Sequence, residues 1–208
     1  QVFARTYLTE ALKTALSQIR HKFTGDDPRG SLVFTGGYGS GKSHQLLALY
    51  HTLTCPDLAA QWLTAQGYDG PLPALDDLVV IVLHTARVDY DNLWEPIFQQ
   101  LGAQDILGQV KRYPTIPQIR QAIDGRPVAV VVDEIENWYE TILPYQAGAS
   151  ETSQAANRTF LQHLLEERFQ SRTVRSLVVI EYHQGDFGIL RAAKRSVGDV
   201  DIKDLIKF

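Results

Sequence analysis

The chain has 208 residues, 44% of them apolar and 21% charged, with 20 Lys and Arg against 24 Asp and Glu for a net charge of −4. That balance describes one globular domain or at most two, and it excludes a disordered chain, a collagen and a coiled coil. The acidic excess argues against a surface that coats nucleic acid nonspecifically, while leaving room for a local basic groove.

Leu8, Leu12, Ala15, Leu16 and Ile19 recur at helical spacing and predict an amphipathic helix over 4–23. The Gly25–Gly30 stretch breaks it, so 1–30 reads as an N-terminal helix and linker leading into a core that fills the rest of 1–208. Ser31–Thr35 reads as a buried strand, followed by a glycine-rich turn and a helix over Lys42–Thr54. Leu58–Gln66 predicts another helix, and Gly67–Asp77 a Gly/Pro loop.

The second strand is expected at Leu78–Thr85 and a short helix at Asn92–Leu101. Thr115, Pro117 and Gln118 form a helix-start signal: a cap, an early proline and a Gln three residues on. Pro127–Asp133 is the third strand, Pro144–Ser153 a polar loop, Ala155–Gln170 a helix and Ser176–Tyr182 the fourth strand. Short helices near Ile189–Arg195 and Asp201–Phe208 close the pattern.

The strands are unbroken apolar runs rather than in–out alternations, the pattern of a parallel sheet covered on both faces. The fold class is therefore α/β, with three layers and a central parallel sheet flanked by helices. No run reaches the about 18 apolar residues of a membrane-crossing helix, so no membrane is expected as partner. Cys55 is the single cysteine, which precludes an intrachain disulfide and fits a reducing, cytoplasmic compartment. The chain begins at Gln1, contains no Met and shows no signal-peptide pattern, so it reads as a piece of a longer protein.

Gly36-Gly37-Tyr38-Gly39-Ser40-Gly41-Lys42-Ser43 fits G-x-x-x-x-G-K-[ST] between a strand and a helix. Glycines permit backbone conformations closed to other residues and clear space for phosphate. Successive N–H groups then form an anion nest at the positive end of the following helix. Lys42 is expected on the β- and γ-phosphates of a nucleotide and the Ser43 hydroxyl on Mg²⁺.

Val128–Val132 runs into Asp133-Glu134, and ligands of parallel sheets bind beyond the carboxyl ends of strands. Asp133 is the candidate Mg²⁺ holder and Glu134 the general base for an attacking water. The adjacent carboxylates favour hydrolysis over mere nucleotide binding. Glu181 and His183 on the fourth strand are candidates to orient that water. Arg191 and Arg195 are candidates to stabilise γ-phosphate charge in a neighbouring subunit, ahead of Arg168, Arg172 and Arg175.

The Gly-Tyr-Gly-Ser-Gly-Lys-Ser-His core at 37–44, with its Leu-rich helix, resembles large AAA+ ATPases of bacteria and archaea. These are often encoded with adenine-specific DNA methyltransferases in phage-defence loci, like the large ATPases of BREX-type systems. Looser matches lie at Thr6–Thr9, Leu93–Glu95, Leu101-Gly102, Asp133–Ile135 and Phe160–Gln162. The resemblance implies an AAA+-like P-loop core and ATP with Mg²⁺, and it adds His44 to the nucleotide loop. It further implies a homo-oligomer or larger complex, a lid and further domains outside this chain, and DNA as a possible partner of those domains.

The span from Lys42 to Asp133 exceeds that of a minimal AAA+ core, so an insertion is expected there. The leading expectation is an ATP-hydrolysing module of a DNA-processing or defence complex. The alternative is a slow signalling NTPase that regulates partner proteins. A GTPase would need an Asn-Lys-x-Asp reader, which the sequence lacks, and a two-core helicase would need a second core.

Overall fold

The computed structural model describes residues 2–27, 30–35, 39–70, 72–73, 75–85, 91–139, 143, 151–165 and 176–182. Among these, the protein is a mixed α/β structure with a four-stranded parallel sheet. The strands are β1 (Ser31–Thr35), β2 (Val79–His84), β3 (Val128–Asp133) and β4 (Ser176–Tyr182), in spatial order β1-β4-β3-β2. β4, the last of the described strands in sequence, inserts between β1 and β3 and pairs with both in parallel.

Eight helices are described. α1 spans Glu10–Thr24, α2 Lys42–Thr54, α3 Pro56–Ala65 and α4 Trp94–Gln100. α5 spans Gln104–Leu107, α6 Ile116–Ile123, α7 Ile135–Asn137 and α8 Glu151–Leu165. The segment that reads as one helix over 4–23 is two pieces, a 3₁₀ turn at Phe3–Arg5 and then α1. Thr9 adopts an extended conformation and its side chain accepts a hydrogen bond from the Leu12 N–H, so the helix starts after Thr9. α8 begins at Glu151, so the expected loop at 144–153 ends sooner than its small polar residues imply. Residues 144–150 and the expected helices near 189–195 and 201–208 lie outside the described residues.

Strand residues alternate between two cores, because successive Cβ atoms point to opposite faces. Ile81, Leu83, Val128, Val130 and Val132 pack with Trp94, Ile97, Phe98, Ile119, Phe160 and Leu161. Leu32, Phe34, Ala129 and Val131 pack on the other side with Leu12, Leu16, Ile19, Leu46, Leu49 and Trp62. Residues 128–132 are all buried, which explains a strand with no polar alternation. The interval between Lys42 and Asp133 is occupied by the rest of α2, then α3, β2, α4, α5 and α6. No helix among the described residues is long and apolar enough to cross a membrane.

Candidate functional site

The site lies at the carboxyl ends of β1, β3 and β2. Gly39 and Gly41 both have left-handed backbones, with φ of 76° and 89°, a region costly for any residue with a Cβ. A Cβ built on either would meet nothing within 4 Å, so backbone conformation demands glycine here and the space above the turn is open. Gly41 is also the N-cap of α2 and offers no side chain to its first-turn amides. These are the N–H groups that the sequence motif assigns to phosphate. Lys42 is only 6% exposed, whereas Ser43 and His44 are exposed.

Side-chain alternation along β3 sends Asp133 to the same face as Ala129 and Val131, the face covered by α2. Ser43 is the second residue of α2, and its Oγ stands 3.5 Å from Asp133 Oδ1 across 90 residues of chain. Glu134 follows immediately and is exposed, with φ 57° and ψ 32°. It ends the strand and caps the short α7, so the chain turns sharply where the second carboxylate is presented. A hydroxyl and a carboxylate are hard oxygen donors, the set that suits Mg²⁺ held together with phosphate oxygens.

His44 is placed on Thr6, with Nε2 3.0 Å from Thr6 Oγ1. The Thr6 hydroxyl also donates to the Val2 carbonyl at 2.9 Å, so this one side chain joins the N-terminal segment to α2. Trp62 Nε1 donates to the Thr6 carbonyl at 3.3 Å, and Phe3 stacks on Trp62 at 4.9 Å between ring centroids. The segment before α1 is thus tied to α2 and α3 beside the glycine turn.

Gly36, Gly37, Tyr38, His183, Arg168, Arg172, Arg175, Arg191 and Arg195 lie outside the described residues. Glu181 falls on β4, whose backbone reaches the end of the sheet between β1 and β3. Sequence reasoning missed two residues that the fold brings to Asp133. His84 is its register partner on β2, with Nδ1 3.5 Å from Oδ2. Thr85 is fully buried and donates its hydroxyl to the Asp133 carbonyl at 2.7 Å. The available signal was two polar residues ending an apolar strand, His84-Thr85, but pairing with β3 cannot be read from that.

Residues 1–77 match the family model described as the DUF499 N-terminal domain. The match runs through the N-terminal segment, β1, the glycine turn, α2 and α3, and it stops before β2. Among curated proteins, none matches the chain.

Proposed function

We propose that this chain is a three-layer, AAA+-like P-loop module that binds ATP with Mg²⁺ and hydrolyses it. On this reading it powers a DNA-processing or phage-defence complex of which the chain is one part. The carrying observation is Ser43 Oγ at 3.5 Å from Asp133, at the carboxyl end of a parallel sheet and beside a left-handed glycine turn. The strand order adds support. With β4 between them, β1 and β3 stand two strand spacings apart, roughly 10 Å.

In this mechanism the α2 amides and Lys42 bind the phosphate chain and neutralise its charge. Ser43 and Asp133 would hold Mg²⁺, which when bound screens the phosphate oxygens and orients the terminal group. Glu134, one residue beyond the metal-holding carboxylate, accepts the proton of the water that attacks the γ-phosphorus. The bond to the β–γ bridging oxygen breaks and ADP leaves with that electron pair. Arg191 and Arg195 are assigned to the transition-state charge of a neighbouring copy, which makes turnover depend on assembly.

The test compares ATP and GTP hydrolysis by wild type, Lys42→Ala and Glu134→Gln. Wild type is expected to hydrolyse ATP and Lys42→Ala to lose nucleotide binding. Glu134→Gln should bind ATP while turnover falls about 10²–10⁴-fold. Absence of Mg²⁺-dependent ATP binding by wild type overturns the reading. Tight binding with wild-type turnover no faster than Glu134→Gln replaces the motor with a signalling switch.

A further inference from the structure

We propose that the carboxyl end of β2 is a clamp that positions Asp133, with His84 holding the carboxylate and Thr85 holding its backbone. The inference rests on the reading of Asp133 as the Mg²⁺-holding acid. β2 and β3 pair in parallel, with His84 opposite Asp133. Ile81 and Leu83 point into the core with α4 and α6, so alternation sends His84 to the opposite face, where Asp133 and Ser43 meet.

The carboxylate is flanked on both oxygens: Ser43 Oγ lies 3.5 Å from Oδ1 and His84 Nδ1 lies 3.5 Å from Oδ2. His84 Nδ1 is shielded from solvent and makes no hydrogen bond among the described residues. At 3.5 Å it lies a few tenths of an ångström outside hydrogen-bond range, so a small rotation of the carboxylate closes the contact. Thr85 fixes the other end of the same residue. Its N–H and hydroxyl both donate to the Asp133 carbonyl, at 3.3 and 2.7 Å.

The terminal torsion of an aspartate is soft and roughly two-fold, so a strand end alone does not decide which oxygen faces a metal. A donor on one oxygen commits the other. Groups that orient a metal-holding carboxylate in this way contribute about 10–100-fold to metal affinity or activity. His84 and Thr85 are positioning residues in this scheme and touch neither nucleotide nor metal.

The experiment measures the affinity of a fluorescent N-methylanthraniloyl-ATP, without and with increasing Mg²⁺, for wild type, His84→Ala, His84→Gln and Thr85→Val. The Mg²⁺ dependence of ATP hydrolysis is followed in parallel. His84→Ala and Thr85→Val are expected to keep the metal-free nucleotide affinity and to need about 10-fold more Mg²⁺ for half-saturation. His84→Gln, which retains a donor, is expected to recover most of that loss. Wild-type Mg²⁺ titrations in His84→Ala overturn the clamp, as does an equal loss of metal-free affinity, which marks a merely structural role. If Thr85→Val does not fold, the two His84 variants decide between these outcomes. A wild type that binds nucleotide without any Mg²⁺ dependence overturns the magnesium reading itself, and the clamp with it.

Discussion

Glu134 combines two demands at one position. Its left-handed backbone costs a non-glycine residue about 1–2 kcal/mol, while its carboxylate is the proposed base. Glycine would relieve the conformation but adds freedom to the unfolded chain worth about 0.5–1 kcal/mol. Glu134→Gly is therefore expected to leave the urea midpoint unchanged or to raise stability by up to about 1 kcal/mol, while hydrolysis falls at least about 100-fold. A large drop in stability would mean that the carboxylate holds the strand end together. Lys22 shows a different conflict. It is 1% exposed on α1, and burial lowers its pKa from 10.5 to about 8 against the opposing attraction of Asp27. Between pH 8 and 10.5 the unfolded chain binds this proton and the folded chain does not, so stability rises with pH across that window. Below pH 8 both states carry the charge and the burial cost is constant. Urea midpoints from pH 7 to 10 should show the rise, and Lys22→Met should be more stable than wild type near pH 7 and lack it.

At the scale of elements, local signals worked where the determinants are local. Thr115 caps α6 as its sequence predicts. Gln118 Oε1 accepts from the Thr115 N–H at 2.9 Å, and Thr115 Oγ1 accepts from the Gln118 N–H at 3.5 Å. The second bond is long, so Thr115→Ala should cost about 0.5–1 kcal/mol, the low end for a cap, read as a shift in thermal midpoint. α2 and β4 were legible residue for residue, since both follow glycine- or polar-bounded apolar runs. The N-terminal segment was not. Leu8 lies four residues before Leu12 and both are buried, so they mimic one helical stripe. The competing rule that won is the Thr9 cap, which needs an extended residue between them. α5 and α7 are too short to carry a periodic signal and went unseen.

Across the whole molecule, the two faces of the sheet are secured differently. One carries the helix that opens on the glycine turn. The other depends on α8, and Asn157 ties that helix to the chain after β2. Asn157 is fully buried; its Oδ1 accepts from the Leu93 N–H at 2.9 Å and its Nδ2 donates to the Asp91 and Ser153 carbonyls at 3.2 Å. Asn157→Leu removes a partner from a buried N–H and from two carbonyls at once. The expected cost is about 2–3 kcal/mol, measured by thermal or urea denaturation, with nucleotide affinity retained. A value near zero would show that the chain re-pairs those groups with water. The same scale governs the proposed DNA partner. On that proposal DNA binds domains outside this chain, and a net charge of −4 gives this module little general attraction of its own, so the module alone is expected to give no shift in mobility assays at physiological salt.

The amino-acid order by itself determined the glycine turn, the strand that precedes it, the helix that follows and the acidic strand end. Each rests on short-range chemistry: a left-handed backbone that only glycine adopts cheaply, and unbroken apolar runs that only a twice-covered strand tolerates. It also implied a parallel sheet, which the strand pairings bear out. The tertiary structure alone decided that β4 enters between β1 and β3 and that β2 pairs His84 with Asp133. Strand order and register come from which faces bury together over long separations, and no local pattern encodes them. For that reason Ser43 and Asp133 could be named from motifs, while His84 and Thr85 emerged only once the sheet was assembled.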